Sequence, residues 1–261
     1  MPLAGPGGMS LALGQNGLKI FKENNIQSVI FDLDDTLFDT GPYYKSNMLL
    51  MAEHIANLLG DNSHNIAERI YEEGVVIHKE VGHPMLLNTL MKEAIAKVYG
   101  SHLPKQEEID SYLEKTVELL YKETPKLKDG ALSVLEMVNT LGIKIGIHSH
   151  SQHEWTERKV RYIQENFKKE YCKDIHLLLH STPLEEKKDE QGWGEALKNF
   201  NFNPNTTLVV GDNLRDDILP AQANGVKYLV LINNSMYSSN AILEVDLNLL
   251  RIHDIKGLLN L

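Results

Sequence analysis

The chain is nearly devoid of cysteine: Cys172 stands alone among 261 residues. That excludes an internal disulfide and any disulfide-stapled scaffold, and it points to a reducing compartment, the cytoplasm. Long apolar runs are absent too, and nothing in the sequence reaches the roughly 20 residues of a membrane span. The opening MPLAGPGGMSLALGQNG has neither the basic start nor the long apolar stretch of a secretory signal. Rich in Pro and Gly before Met9, residues 1–17 read as a flexible tail outside the fold. There is no basic block: 26 Lys and Arg face 36 Asp and Glu, a formal net charge of -10. Such a balance argues against a nucleic-acid partner and, with no apolar anchor, against a membrane. It leaves small anions open, because one lysine or one divalent cation reverses the field inside a single cleft. Repeats and low-complexity tracts are also lacking.

What is present has a clear order. Short strand-like runs at residues 143–147, 175–179, 206–210 and 228–232 alternate with helical patterns at 132–141, 154–167, 191–200 and 214–224. Strands separated by helices imply βαβ crossovers and a mainly parallel sheet covered on both faces. One further strand, residues 26–33, lies far upstream. The stretch after it is helical in pattern: Met48, Met51, Ile55 and Leu58 form one stripe, Ile66, Ile70 and Ile77 a second, and Ile109, Leu113, Val117 and Leu120 a third. The reading is therefore an α/β core, a Rossmann-like doubly wound parallel sheet over residues 18–40 and 125–261, interrupted by a helical domain at 41–124.

In open parallel sheets, ligands bind beyond the C-terminal strand ends, and four such ends carry polar groups here. FDLDDTLFDT (31–40) places Asp32 and Asp34 two apart, able to converge on one cation or one phosphoryl group, although a plain Asp-rich turn accounts for the same letters. IGIHSHS (145–151) ends a strand in Ser149, flanked by His148 and His150. EEKKDE (185–190) offers Lys187 or Lys188 ahead of a helix, where a cation opposes the helix dipole unless an anion sits nearby. LVVGDNLRDDI (208–218) leaves a strand through Gly211 into Asp212, with Asp216 and Asp217 in the next turn. Each is ordinary alone.

Taken in order, they resemble the haloacid dehalogenase-like superfamily. FDLDDTL is similar to its DxDxT motif, Ser149 to its second-strand Ser/Thr, Lys187 to its lysine, and GDNLRDD to its terminal acidic motif. The resemblance covers about residues 26–40 and 125–232, and the insert occupies the place of that family's helical cap. It implies a phosphatase in which Asp32 is the nucleophile and forms a phosphoaspartate. Asp34 is then the acid and base, and Ser149, His150 and Lys187 hold the substrate. Mg²⁺ is implied as the cofactor, bound through Asp32, Asp34 (by its backbone carbonyl), Asp212 and Asp217, with Asp216 competing for the last place. The implied substrate is a small phosphorylated metabolite such as a nucleotide, phosphosugar or phosphoglycolate. Haloalkanoate dehalogenases of the group lack the aspartate at position 34, since a halide leaves without a proton. The sequence departs from the pattern at His148, His150 and Lys188, the last replacing a usual proline. Two rivals stand beside this reading: a zinc-dependent amidohydrolase-like enzyme using His148 and His150, and a non-catalytic relative that only binds a phosphometabolite. Restoration of activity by Mg²⁺ or only by Zn²⁺ separates the first, and Asp32→Asn the second.

Overall fold

The computed structural model describes residues 19–61, 65–82, 84–100, 102–184, 186–232 and 249–260; the tail read at 1–17 lies outside them. Among the described residues six parallel strands form one sheet: β1 (Ser28–Phe31), β2 (Lys144–His150), β3 (Leu177–Thr182), β4 (Thr207–Gly211), β5 (Tyr228–Ile232) and β6 (Leu249–Ile252). Their spatial order is β3-β2-β1-β4-β5-β6. The helices are α1 (Lys19–Glu23), α2 (Thr40–Leu58), α3 (Ile66–Val81), α4 (Leu87–Tyr99), α5 (Gln106–Leu120), α6 (Ala131–Thr140), α7 (His153–Tyr171), α8 (Glu190–Phe200) and α9 (Leu219–Ala223).

Side chains on successive strand residues point to opposite faces, and β1 uses both. Val29 and Phe31 join Ile145, Ile147 and Val210 under Leu135 and Val138 of α6 and Ile163 and Phe167 of α7. Ile30 turns the other way, with Val209 and Leu229, onto Trp193 and Leu197 of α8 and Ala221 of α9. The sheet is thus doubly wound, as its strands' unbroken apolar character requires. From β1 the chain proceeds outward in one direction through β2 and β3, and from β4 in the other through β5 and β6. The β1–β4 junction is the point where a crevice opens at the strands' C-terminal ends.

Between β1 and β2, helices α2 to α5 pack mainly on one another, burying Met51, Ile55, Ile70, Met91, Ile95 and Leu113 in a cluster of their own. The sequence reading lacked α4, although Leu87, Leu90, Met91, Ala94 and Ile95 follow the helical period. It also lacked β6, and it set β3 two residues early. The expected helix at 214–224 is instead a π-helical turn, Leu214–Ile218, followed by α9 with a proline in its first turn. Among the described residues no helix is long and apolar enough to cross a membrane.

Candidate active site

The backbone brings the acidic residues together. Asp32 extends the β1 ladder by donating its N–H to the Val210 carbonyl (2.9 Å), and β4 then turns through Gly211 into Asp212. Carboxylate oxygens of Asp32, Asp212 and Asp217 lie within 4.8 Å of one another. Asp217 is buried and fixed by the Asn213 N–H on Oδ2 (3.0 Å), whereas Asp216 accepts from the Asn213 side-chain amide (2.8 Å) and lies outside the trio. Gly211 makes room for this: a Cβ there would sit 2.4 Å from Asp217 Oδ2. An all-oxygen, strongly anionic set of this kind suits a hard divalent cation such as Mg²⁺.

The lysine of the site is Lys188, and this corrects the assignment of Lys187. Lys188 is buried and its Nζ donates to Asp32 Oδ1 and to Asp217 Oδ1, each at 2.6 Å, while Lys187 faces solvent. Asp189 explains the register. Its carboxylate caps α8, accepting from the N–H groups of Gln191 and Gly192. That cap fixes where α8 begins, and of the two lysines just before it only Lys188 turns inward. Trp193, one turn into α8, donates its indole N–H to the Asp216 carbonyl (2.8 Å) and ties the helix to the acidic loop. Burial pushes the Asp32 carboxyl up to about 7, with Lys188 opposing and Asp217 and Asp34 adding to the rise. Burial pulls the Lys188 ammonium down, but Asp217 and Asp32 outweigh it and hold it above the ordinary lysine value.

Asp34 lies apart from the trio, on different partners. Its Oδ1 accepts from the Thr40 hydroxyl (2.6 Å) and from Lys159. Lys159 is fully buried on α7, its Nζ 3.4 Å from the centre of the Trp155 ring. Burial lowers the Lys159 value, with Asp34 pulling the other way. Asp35, in a left-handed conformation, accepts the Gly41 N–H at the start of α2 (2.9 Å). Sequence reasoning missed Lys159, yet a signal existed. Trp155, Ile163 and Phe167 form the buried stripe of α7, and residue 159 occupies the apolar position between them.

Ser149, next to last in β2, is fully buried, and its Oγ has no hydrogen-bond partner among the described residues. It does not line the open cleft, but its neighbours His150 and Ser151 do. His148 packs away from that cleft. Its Nε2 meets Thr182 Oγ1 (3.0 Å), and its ring lies edge-on to Trp193 (4.6 Å between centres). Burial holds it well below the usual histidine range, and therefore neutral. With His148 packed on Trp193 and only His150 at the cleft, the pair does not converge on one zinc ion, and that reading is set aside.

The cleft has a volume of about 290 Å³. Its floor is the acidic site; its far wall comes from the helical insert through Tyr44, Lys45, Met48, Val75, His78 and Leu90. Tyr43, beside Tyr44, instead donates its hydroxyl to the Leu120 carbonyl (3.1 Å).

Residues 26–225 match the haloacid dehalogenase-like hydrolases. A glyceraldehyde 3-phosphate phosphatase of Pyrococcus abyssi is 26% identical over 77% of this chain and 79% of its own length. Among solved structures, a Thermotoga maritima protein assigned as a β-phosphoglucomutase superposes with a TM-score of 0.63 at 18% identity, covering 90% of this chain and 97% of its own. A haloacid dehalogenase-like family hydrolase of Xanthomonas campestris gives 0.61 at 15% identity, covering 90% and 89%.

Proposed function

The chain belongs to the haloacid dehalogenase-like hydrolases, and from that membership we propose that it is a Mg²⁺-dependent phosphatase of small phosphomonoesters working through a phosphoaspartate on Asp32. The observation that carries this reading is the convergence of Asp32, Asp212 and Asp217 at the sheet's switch point, with Asp34 held separately beside them. Asp32, Asp212 and Asp217, with the backbone carbonyl of Asp34, would hold Mg²⁺, which supplies positive charge against the phosphoryl oxygens.

The chain's own groups divide the work. An Asp32 carboxylate oxygen bonds to phosphorus as the bond to the leaving oxygen breaks, and Asp34 hands that oxygen a proton. Water then attacks the phosphorus of the acyl phosphate and loses its proton to Asp34, releasing inorganic phosphate and restoring Asp32. Lys188 would balance the transferring phosphoryl, with His150 at its edge, while Ser149 lies behind the cleft surface. Residues 41–124 would act as a cap, closing over the cleft and selecting the leaving group. The curated relative acts on a three-carbon phosphorylated aldehyde by its name, and a small phosphorylated metabolite is the matching substrate class here.

The test is turnover of a panel of phosphorylated metabolites with Mg²⁺, with Asp32→Asn beside the parent chain. The variant should retain its thermal transition and lose more than about 10³-fold in kcat, as removal of a nucleophile does. Acid-quenched parent chain should carry a phosphoryl group on the peptide containing Asp32. Comparable turnover by the variant would remove the phosphatase mechanism.

A further inference from the structure

We propose that Lys159 is a positioning residue for Asp34, which together with Thr40 clamps Oδ1 so that Oδ2 is the oxygen that carries the transferred proton. The proposal rests on the phosphatase reading above. Both donors meet the same oxygen: the Thr40 hydroxyl and the Lys159 ammonium each bond to Asp34 Oδ1. An oxygen that accepts from two donors is a poor place for a proton. No protein donor among the described residues is recorded on Oδ2, and the Asp34 side chain is 29% exposed at the cleft wall.

The clamp is itself anchored. Lys159 has no exposed surface, and its ammonium lies over the Trp155 ring, where the negative face of the π-system attracts a desolvated cation. Trp155 is fixed by its indole N–H to the Glu123 carbonyl (2.9 Å) and by edge contacts with Tyr44 and Tyr121, which line the cleft. A lysine buried this deeply, among Trp155, Val160 and Ile163 of its own helix, is costly unless its partner is fixed as well. In the first half-reaction the Oδ2 proton passes to the leaving oxygen as its bond to phosphorus breaks. In the second, the attacking water gives its proton back to Oδ2. Oδ1 stays an acceptor throughout.

The leaving group distinguishes this role from a purely structural one. p-Nitrophenolate departs without a proton, whereas the alkoxide of glyceraldehyde 3-phosphate needs one. With Mg²⁺ present, rapid-mixing kinetics of Lys159→Met on p-nitrophenyl phosphate should show the first equivalent of nitrophenolate released at a rate within a few-fold of the parent chain. Later turnover, and all hydrolysis of glyceraldehyde 3-phosphate, should fall about 10²-fold or more, the usual share of general acid–base catalysis. Thr40→Val removes the other clamp and should give the same split, which keeps the test decisive if the buried Lys159 variant fails to fold. Equal loss in first release and in later turnover, or no loss at all, would overturn the positioning role while leaving the phosphatase standing. A parent chain that hydrolyses neither ester would overturn both.

Discussion

At the scale of single residues, the site's electrostatics centre on one ammonium between two carboxylates. Lys188 bridges Asp32 and Asp217, and all three are buried. Removing the ammonium leaves two buried carboxylates without a counter-charge, and breaking a buried pair in this way typically costs about 3–5 kcal/mol. Lys188→Met should lose stability on that scale in Mg²⁺-free buffer, measured by urea unfolding. A cation bound by the same carboxylates should then restore more stability to the variant than it adds to the parent chain. Equal Mg²⁺ shifts in both would mean that lysine and metal do not share these ligands. A second expectation concerns pH. Because the Asp32 carboxyl is raised to about 7 in the metal-free chain, it is protonated below that pH, and an incoming cation must displace the proton. Mg²⁺ affinity measured by calorimetry should therefore fall about tenfold per pH unit below 7 and level off above it. A flat profile would show that Asp32 does not take up a proton in this range.

At the scale of elements, the strand ends decide which groups meet, and here one glycine is decisive. Gly211 closes β4 against Asp217, where a Cβ would lie 2.4 Å from Oδ2 and 2.5 Å from the aspartate's own Cβ. Gly211→Ala must push Asp217 away from Asp32 and Asp212. The expected result is a Mg²⁺ half-saturation raised about tenfold to a hundredfold, as for lost supports of metal ligands. An unchanged midpoint would place the cation elsewhere. Elements also show what the letters alone disclose. The buried strands were legible because their apolar runs are short and bounded by turn residues, and residues 228–232 coincide with β5. Asp32, Asp34 and Asp212 stand at strand ends that converge in this topology, whereas only the family resemblance separates Asp217 from Asp216 in the sequence. Lys188 was misread by one position because adjacent lysines differ only in the direction they face, and the Asp189 cap sets that direction. Lys159 went unseen because its partner, Asp34, lies far away in the chain, and no local pattern encodes a contact between β1's end and α7.

At the scale of the whole molecule, two separate hydrophobic bodies face one cleft, and the division of labour follows from their separateness. The sheet and its helices carry every carboxylate of the acidic trio, whereas the cluster of α2 to α5 contributes the mainly apolar wall opposite. A change on that wall should therefore alter which ester fits without altering how the cation is held. Val75 on α3 is the clean place to test this, since it is half-buried, lines the cleft from the helical insert, and belongs to neither the acidic trio nor the hydrogen bonds of Lys188. Val75→Trp narrows a space of only about 290 Å³ from the side opposite the chemistry. KM for the best substrate of the panel should rise about tenfold or more, in keeping with the sensitivity of shaped pockets to small changes of volume. The Mg²⁺ midpoint should stay where it is, because no ligand moves. If both parameters shifted together, the helical wall would be part of the framework that aligns the carboxylates. If neither shifted, the leaving group would lie outside the space between the two bodies.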